Sequence, residues 1–325
     1  MSKIVVDMMG GDLGPEAAKE GVRSFKTLHP ETELILVGDP KALADMEGYH
    51  IVPSTSVVKM DAGALDALRD KSSSMSLAIK TVIDEKADAV VSCGSTGAFL
   101  TMASLKLKKI KGVLRPALIT SFPTVIKGKS VTILDIGAST ENSAEELAQF
   151  ALMGSLYSEF VNGVHSPKVA LLANGSEAGK GTEAGKAAYT LIKQDSKIDF
   201  VGNREARDVM SGDLDCVVSD GYSGNVLLKA TEGTAKAMSF LMKKAFKKNI
   251  LTMLGYLFAK GGIKEMAHTM DYKAVGGALL LGVNGAAIKA HGNCDGYAWK
   301  SALCVADKIA KAHLVEKIEK RITNE

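Results

Sequence analysis

Cysteine is scarce in this chain of 325 residues: there are four, Cys93, Cys216, Cys294 and Cys304, with no C-x-x-C pair among them. That spacing excludes a disulfide framework or a structural zinc site and fits a reducing compartment. An excess of one charge is lacking too, since forty Lys+Arg against thirty-seven Asp+Glu leave a net charge of +3. A protein that grips duplex nucleic acid needs many more positive charges, so no nucleic-acid partner is expected and any basic site must be local. Long hydrophobic runs are missing: the apolar stretch at 274–288 is interrupted by Asn284 and falls short of the ~20 residues of a spanning helix. Near the start, Asp7 follows only Ile4, Val5 and Val6, where a secretory signal needs an apolar core of ~7–15 residues. A cytoplasmic protein is expected. The seven prolines fall singly and no Pro-, Ser- or Gly-rich linker divides the chain, so 1–325 is expected to form a single domain.

Glycine is what the chain has in plenty, 32 residues against a typical ~7% of a sequence, and it recurs at corresponding places. Short β-branched runs at 4–7, 89–92, 131–136, 169–173 and 216–219 each end in a glycine-polar turn followed by a segment of helical period. Further strands are expected at 34–37, 117–121, 198–201 and 275–281, the last with a helical alternative. This alternation predicts an α/β protein with a doubly wound, mostly parallel sheet. The longest helical pattern runs from 225 to 248 and extends past Phe258, and a terminal helix covers 297–321.

In such a sheet the turns after the strands collect along one edge, where backbone N–H groups and helix N-termini face a common crevice suited to an anion. Five turns are expected to converge there. The first carries Asp7, Gly10, Gly11 and Asp12, with Pro15 at a favoured first helical position; its glycine spacing is not that of a dinucleotide fingerprint. The second, Gly94-Ser95-Thr96-Gly97, offers two hydroxyls to phosphate oxygens, or one of them to a helix cap. The third holds Asp135 and Ser139 and precedes Ser143-x-x-Glu146, itself a capping box. The fourth contains Glu177 and Lys180 between glycines. It lacks the spacing of a nucleotide P-loop, so ATP is not expected, but its lysine can address an anion or simply be solvated. The fifth supplies Asp220, Gly224 and Asn225 at the start of the long helix, with Asn225 also able to cap it. His291 sits in Lys289-Ala290-His291-Gly292 as a donor or acid–base candidate. With Cys294 alone beside it the ligand set is incomplete, so neither a metal nor a cofactor is expected.

A separate feature covers about 238–264, where Leu241, Phe246, Leu254, Leu257 and Phe258 keep helical spacing while Lys243, Lys244, Lys247 and Lys248 take another face. This protruding amphipathic segment fits subunit packing, an anionic membrane surface, or both.

Residues 6–12, 92–98, 115–118, 134–138, 202–208, 219–225 and 289–292 together resemble the PlsX family of acyl-acyl-carrier-protein:phosphate acyltransferases, in order and over nearly the whole chain. The resemblance implies a three-layer α/β/α sandwich of the isocitrate/isopropylmalate dehydrogenase-like kind, working as a homodimer in phospholipid synthesis. The implied reaction is attack of orthophosphate on acyl-acyl carrier protein, giving acyl phosphate for a membrane glycerol-3-phosphate acyltransferase. It further implies a cytoplasmic enzyme at the inner face of the cell membrane, with Lys180, Asn225 and His291 as catalytic residues. Ser95 and Ser139 depart from the family pattern, standing where asparagine is usual, and Cys93 replaces a common alanine, which argues against an obligatory cysteine nucleophile. Two alternatives are an acyl-CoA:phosphate acyltransferase of phosphotransacetylase type and a non-catalytic, membrane-associated anion-binding scaffold. A nicotinamide dehydrogenase is disfavoured, since no G-x-G-x-x-G unit follows a strand.

Overall fold

Residues 1–269 and 276–323 are described by a computed structural model. The chain begins β1 (Lys3–Asp7), α1 (Gly14–Leu28), β2 (Glu33–Gly38), β3 (His50–Pro53), α2 (Ala64–Arg69), α3 (Ser74–Asp84), β4 (Ala89–Ser92) and α4 (Thr96–Leu107). It continues through β5 (Ala117–Pro123), β6 (Ser130–Leu134), α5 (Ala144–Phe160), β7 (Lys168–Leu172), α6 (Glu183–Gln194), β8 (Asp199–Arg204) and β9 (Cys216–Val218). Last come α7 (Gly221–Phe246), α8 (Ile250–Thr269), β10 (Ala278–Leu281), β11 (Ala286–Lys289), α9 (Gly296–Lys311) and α10 (Leu314–Thr323). Of the strand expected at 275–281, residue 275 lies outside the described residues and the rest is strand, not helix.

The eleven strands of the described residues join one sheet in the order β3-β2-β1-β4-β11-β10-β5-β6-β9-β7-β8. Helices cover both faces, as the burial of alternate strand residues requires: Ile4 and Val6 enter one core layer with α1 and α9, and Val5 enters another with α3 and α4. The expected α/β architecture is therefore present, with one difference that matters for function. Strand β10 runs antiparallel to β11 and β5, and β5 antiparallel to β6, so the parallel half β3 to β11 and the parallel half β6 to β8 point in opposite directions. The five glycine turns therefore do not line one edge. The turns after β1, β4 and β11 leave one way and those after β6, β9 and β7 the other. In register, Ser92 stands level with Lys289 and Ala278, while Leu134 is level with Ile119 and Leu279. The carboxyl ends of the two halves thus meet across β10 and β5 at the middle of the sheet.

Two helical expectations are corrected. The longest helix is present as α7, as the pattern at 225–248 predicts, but its extension past 258 is a second helix, because Asn249 and Thr252 form a reciprocal cap: Thr252 N–H donates to Asn249 Oδ1 (2.9 Å) and Asn249 N–H to Thr252 Oγ1 (3.0 Å). The terminal helix divides at His313, whose φ of +49° ends one helix before α10 begins. The capping box at Ser143 and Glu146 is present as expected.

Candidate active site

At the meeting of the half-sheets lies a cavity of about 550 Å³, with Thr120 and Phe122 of β5 and Ala278 of β10 in its wall. Four of the five turns reach it or brace it. From the first turn comes Asp12, whose N–H donates to Gly292 O (2.7 Å) and ties that turn to the His291 loop. From the second comes Thr96. A side chain at Gly10 would meet Gly94 N at 2.7 Å, so these two turns touch backbone to backbone and Gly10 and Gly94 serve close packing. Gly11, with φ +100°, makes the bend that brings Asp12 round. Ser95 occupies the N-cap position of α4 with no side-chain capping bond, and Gly97 is exposed in the same first turn.

Asp7 is fully buried behind the first turn, where it accepts a hydrogen bond from Ser92 Oγ (2.7 Å) and burial pushes its carboxyl up. It holds the ends of β1 and β4 together rather than facing the cavity.

The third turn contributes Gly137, and the reason is Asp135. Its Oδ1 accepts from the N–H groups of Leu118 (2.9 Å), Gly137 (3.1 Å) and Ala138 (2.9 Å), and its Oδ2 from Ser139 N–H (2.9 Å) and Ser139 Oγ (2.6 Å). Asp135 and Ser139, expected to bind phosphate, are thus spent on each other and on the turn; neither lines the cavity. The fifth turn packs directly on this one. Gly224 lies against Asp135 O so closely that any side chain there would collide with it. Asp220, not Asn225, caps α7, accepting from Ser223 N–H at 2.8 Å. Freed of capping, Asn225 lines the cavity over Gly137, and His291 lines it too from the loop after β11. Partial burial holds His291 below its usual pKa of 6.5, so the ring is mostly neutral at pH 7.

Lys180 and Glu177 are placed elsewhere. They are exposed in the turn after β7, two strands further from the junction than β6, and do not line the central cavity; Lys180 lies back over Gly175, and Glu177 O accepts from Asn203 Nδ2 (2.8 Å). Three charged residues of the cavity wall were not singled out as site candidates in the sequence. Lys229 and Glu232 form an ion pair at 3.0 Å on α7, and Lys289 is buried at the end of β11. The signal for Lys289 is the strand period: Ala286 and Ile288 face one core layer, and Ala287 and Lys289 the other, which sets a lysine on a buried face.

Cys93 is fully buried beside this wall, and burial pushes its thiol up, away from nucleophilic thiolate. Elsewhere His29, Glu31 and Asp307 stand close enough to hold a cation, but Lys311 already bridges both carboxylates at 2.7 Å.

No helix among the described residues is long and apolar enough to cross a membrane. The α7–α8 hairpin is nonetheless apolar at its surface: Leu241, Leu254, Leu257 and Phe258 are exposed, Phe258 to 91%. Phe246 departs from that set, being half-buried against Tyr256 with ring centroids 5.4 Å apart.

The overall α/β fold, a large mixed sheet covered by helices on both faces, is shared with solved structures. A phosphotransacetylase from Streptococcus pyogenes superposes with a TM-score of 0.61 at 16% identity, covering 95% of this chain and 94% of that one. An isocitrate dehydrogenase from Methylococcus capsulatus gives 0.50 at 10% identity, covering 98% and 89%. Residues 2–317 match the family model described as fatty acid synthesis protein. Curated relatives named phosphate acyltransferase include one from Exiguobacterium sp., 41% identical over 98% of both chains. Another, from Fusobacterium nucleatum, is 39% identical over 98% of both. The chain belongs to this family, the PlsX phosphate acyltransferases.

Proposed function

We propose that this protein is an acyltransferase that moves a fatty acyl group from acyl-acyl carrier protein to orthophosphate, forming acyl phosphate for phospholipid synthesis. The observation that carries the reading is the cavity at the sheet junction, lined by both Asn225 and His291 together with the buried Lys289. A phosphate oxygen attacks the thioester carbonyl carbon, the carbonyl π-electrons move onto oxygen, and collapse of that tetrahedral oxyanion breaks the C–S bond. Phosphate is largely ionised near neutral pH and a thiol of pKa ~8.5 leaves readily, so positioning and charge stabilisation outweigh base catalysis. Asn225 donates to the developing oxyanion, and His291 supplies the proton-bearing group beside the departing sulfur.

A second groove, of about 840 Å³, runs along α7 between Met238, Phe240, Met242 and Leu227, and Phe122 borders both spaces. It takes the acyl chain. The hairpin's exposed apolar side lies on an anionic membrane and against a second copy of the chain, in the cytoplasm, so that acyl phosphate reaches a membrane glycerol-3-phosphate acyltransferase without crossing water. Phe258→Glu is expected to reduce co-sedimentation with anionic vesicles several-fold, since it places a charge where the most exposed ring stands.

The deciding experiment follows phosphate-dependent thiol release from purified long-chain acyl-acyl carrier protein, trapping acyl phosphate with hydroxylamine and comparing palmitoyl-CoA. Release with trapped product from the carrier protein supports the reading, and preference for CoA moves the protein to the phosphotransacetylase type. No turnover from a folded chain that binds vesicles turns it into a scaffold.

Because His291 is held below 6.5, its ring passes from protonated to neutral around a pH under that value. As a proton donor it acts in the protonated form, so turnover at saturating phosphate is expected to fall along a limb as the pH rises from below 6.5 to 8. His291→Gln removes that limb; a limb unchanged in position would assign it to another group.

A further inference from the structure

Lysine at the end of a central strand is an expensive choice, and the cavity shows what justifies it. Lys289 is 6% exposed, and its ammonium donates to the carbonyl of Ala290. Among the described residues no carboxylate forms an ion pair with it, in contrast to Lys229 of the same cavity, which is paired with Glu232. Its acidic neighbourhood consists of Asp7, Asp12 and the Cys93 and Cys294 thiols, with Asp7 and Cys93 both pushed towards their neutral forms by burial. Burying an unpaired ammonium costs several kcal/mol unless something compensates. Helix α4, twelve residues long, starts at the same wall with Thr96, and the N-cap Ser95 leaves the first N–H groups without a side-chain acceptor. A positive helix end and an unpaired buried cation face one space.

We propose that Lys289 is the charge that binds a tetrahedral phosphate oxyanion in this cavity, held between its ammonium and the first turn of α4. The site is distinct from the exposed turn that carries Lys180. Two sources share this chemistry: orthophosphate as the acyl acceptor, and the phosphodiester of the carrier protein's pantetheine arm. The kinetic arm of the test rests on the acyl-to-phosphate reading, and the binding arm does not.

Lys289→Met keeps the length of the side chain and removes the charge, so without anion the variant should melt at or above the wild-type temperature. Orthophosphate should raise the melting temperature of the full-length wild type and leave that of Lys289→Met unmoved, with Lys289→Arg recovering part of the shift. In turnover, Lys289→Met should raise the phosphate KM about tenfold or more while the acyl-donor KM stays near wild type. A rise in the donor KM alone would assign the same site to the pantetheine phosphodiester. Should wild type show no turnover while the phosphate-dependent shift persists and is lost in Lys289→Met, the acyl-transfer reading fails and the anion site stands. A wild-type phosphate response in Lys289→Met, or its loss in Lys180→Ala instead, overturns the proposal.

Discussion

Replacing Asp135 by alanine is expected to cost about 4 kcal/mol of stability and to abolish turnover in whatever folded fraction survives. Four backbone N–H groups, those of Leu118, Gly137, Ala138 and Ser139, converge on this one buried carboxylate, the first from the core and the others from a turn that reaches the surface. Alanine leaves all four without that acceptor; an unsatisfied buried donor costs ~1–3 kcal/mol, and those nearer the surface cost less because water replaces part of the bond. Asparagine is milder. It keeps the oxygen that serves Leu118, Gly137 and Ala138 and turns its NH₂ towards Ser139, whose hydroxyl can accept while its N–H loses a partner. The expected order of urea midpoints is therefore wild type, Asp135→Asn, Asp135→Ala. Turnover should fall in the same order, because Gly137 carries the surface on which Asn225 rests. An alanine variant with a wild-type midpoint would mean that the turn finds other acceptors.

The second large effect is expected at His291. His291→Ala should reduce kcat by ~10²–10³-fold with little change in the melting temperature, because the side chain is exposed in a loop and lines the cavity rather than filling a core. Asn225→Ala is expected to behave alike, and the double variant to lose far less than the product of the two, since both act on one tetrahedral intermediate. The measurement is single-turnover thiol release with saturating phosphate. A fall confined to KM would make His291 a binding group, and turnover close to wild type would remove it from the chemistry. The contrast with Asp135 is the useful part: one residue builds the site and should show in stability, while the other works in it and should show in rate.

Much of the fold was legible from residue patterns. Strands such as β1, β4, β7 and β9 announce themselves as β-branched runs closed by glycine, because a strand buried on both faces needs an unbroken apolar sequence and its turn needs residues without side chains in the way. Ser143 and Glu146 likewise declare a helix start through local hydrogen bonding alone. Strand β11 is harder to read, since Ala-Ala-Ile is as suited to a helix as to a strand and only its neighbours β4 and β10 decide.

Residue patterns alone settle the inventory: which turns bend, which helices start where, which side chains carry chemistry, and the family they belong to. Strand direction lies beyond it, because the same apolar run pairs parallel or antiparallel according to how the chain returns. The antiparallel β5 and β10 reverse one half-sheet against the other, and that reversal brings Asn225, His291 and Thr96 to a shared cavity, while the place of β7 two strands out from β6 leaves Lys180 beyond it. Tertiary structure also turned Asp135 from a ligand into a scaffold and Lys289 from a strand end into a buried cation. Local sequence sets which groups a residue owns; only the packed chain sets which of them are left unspent.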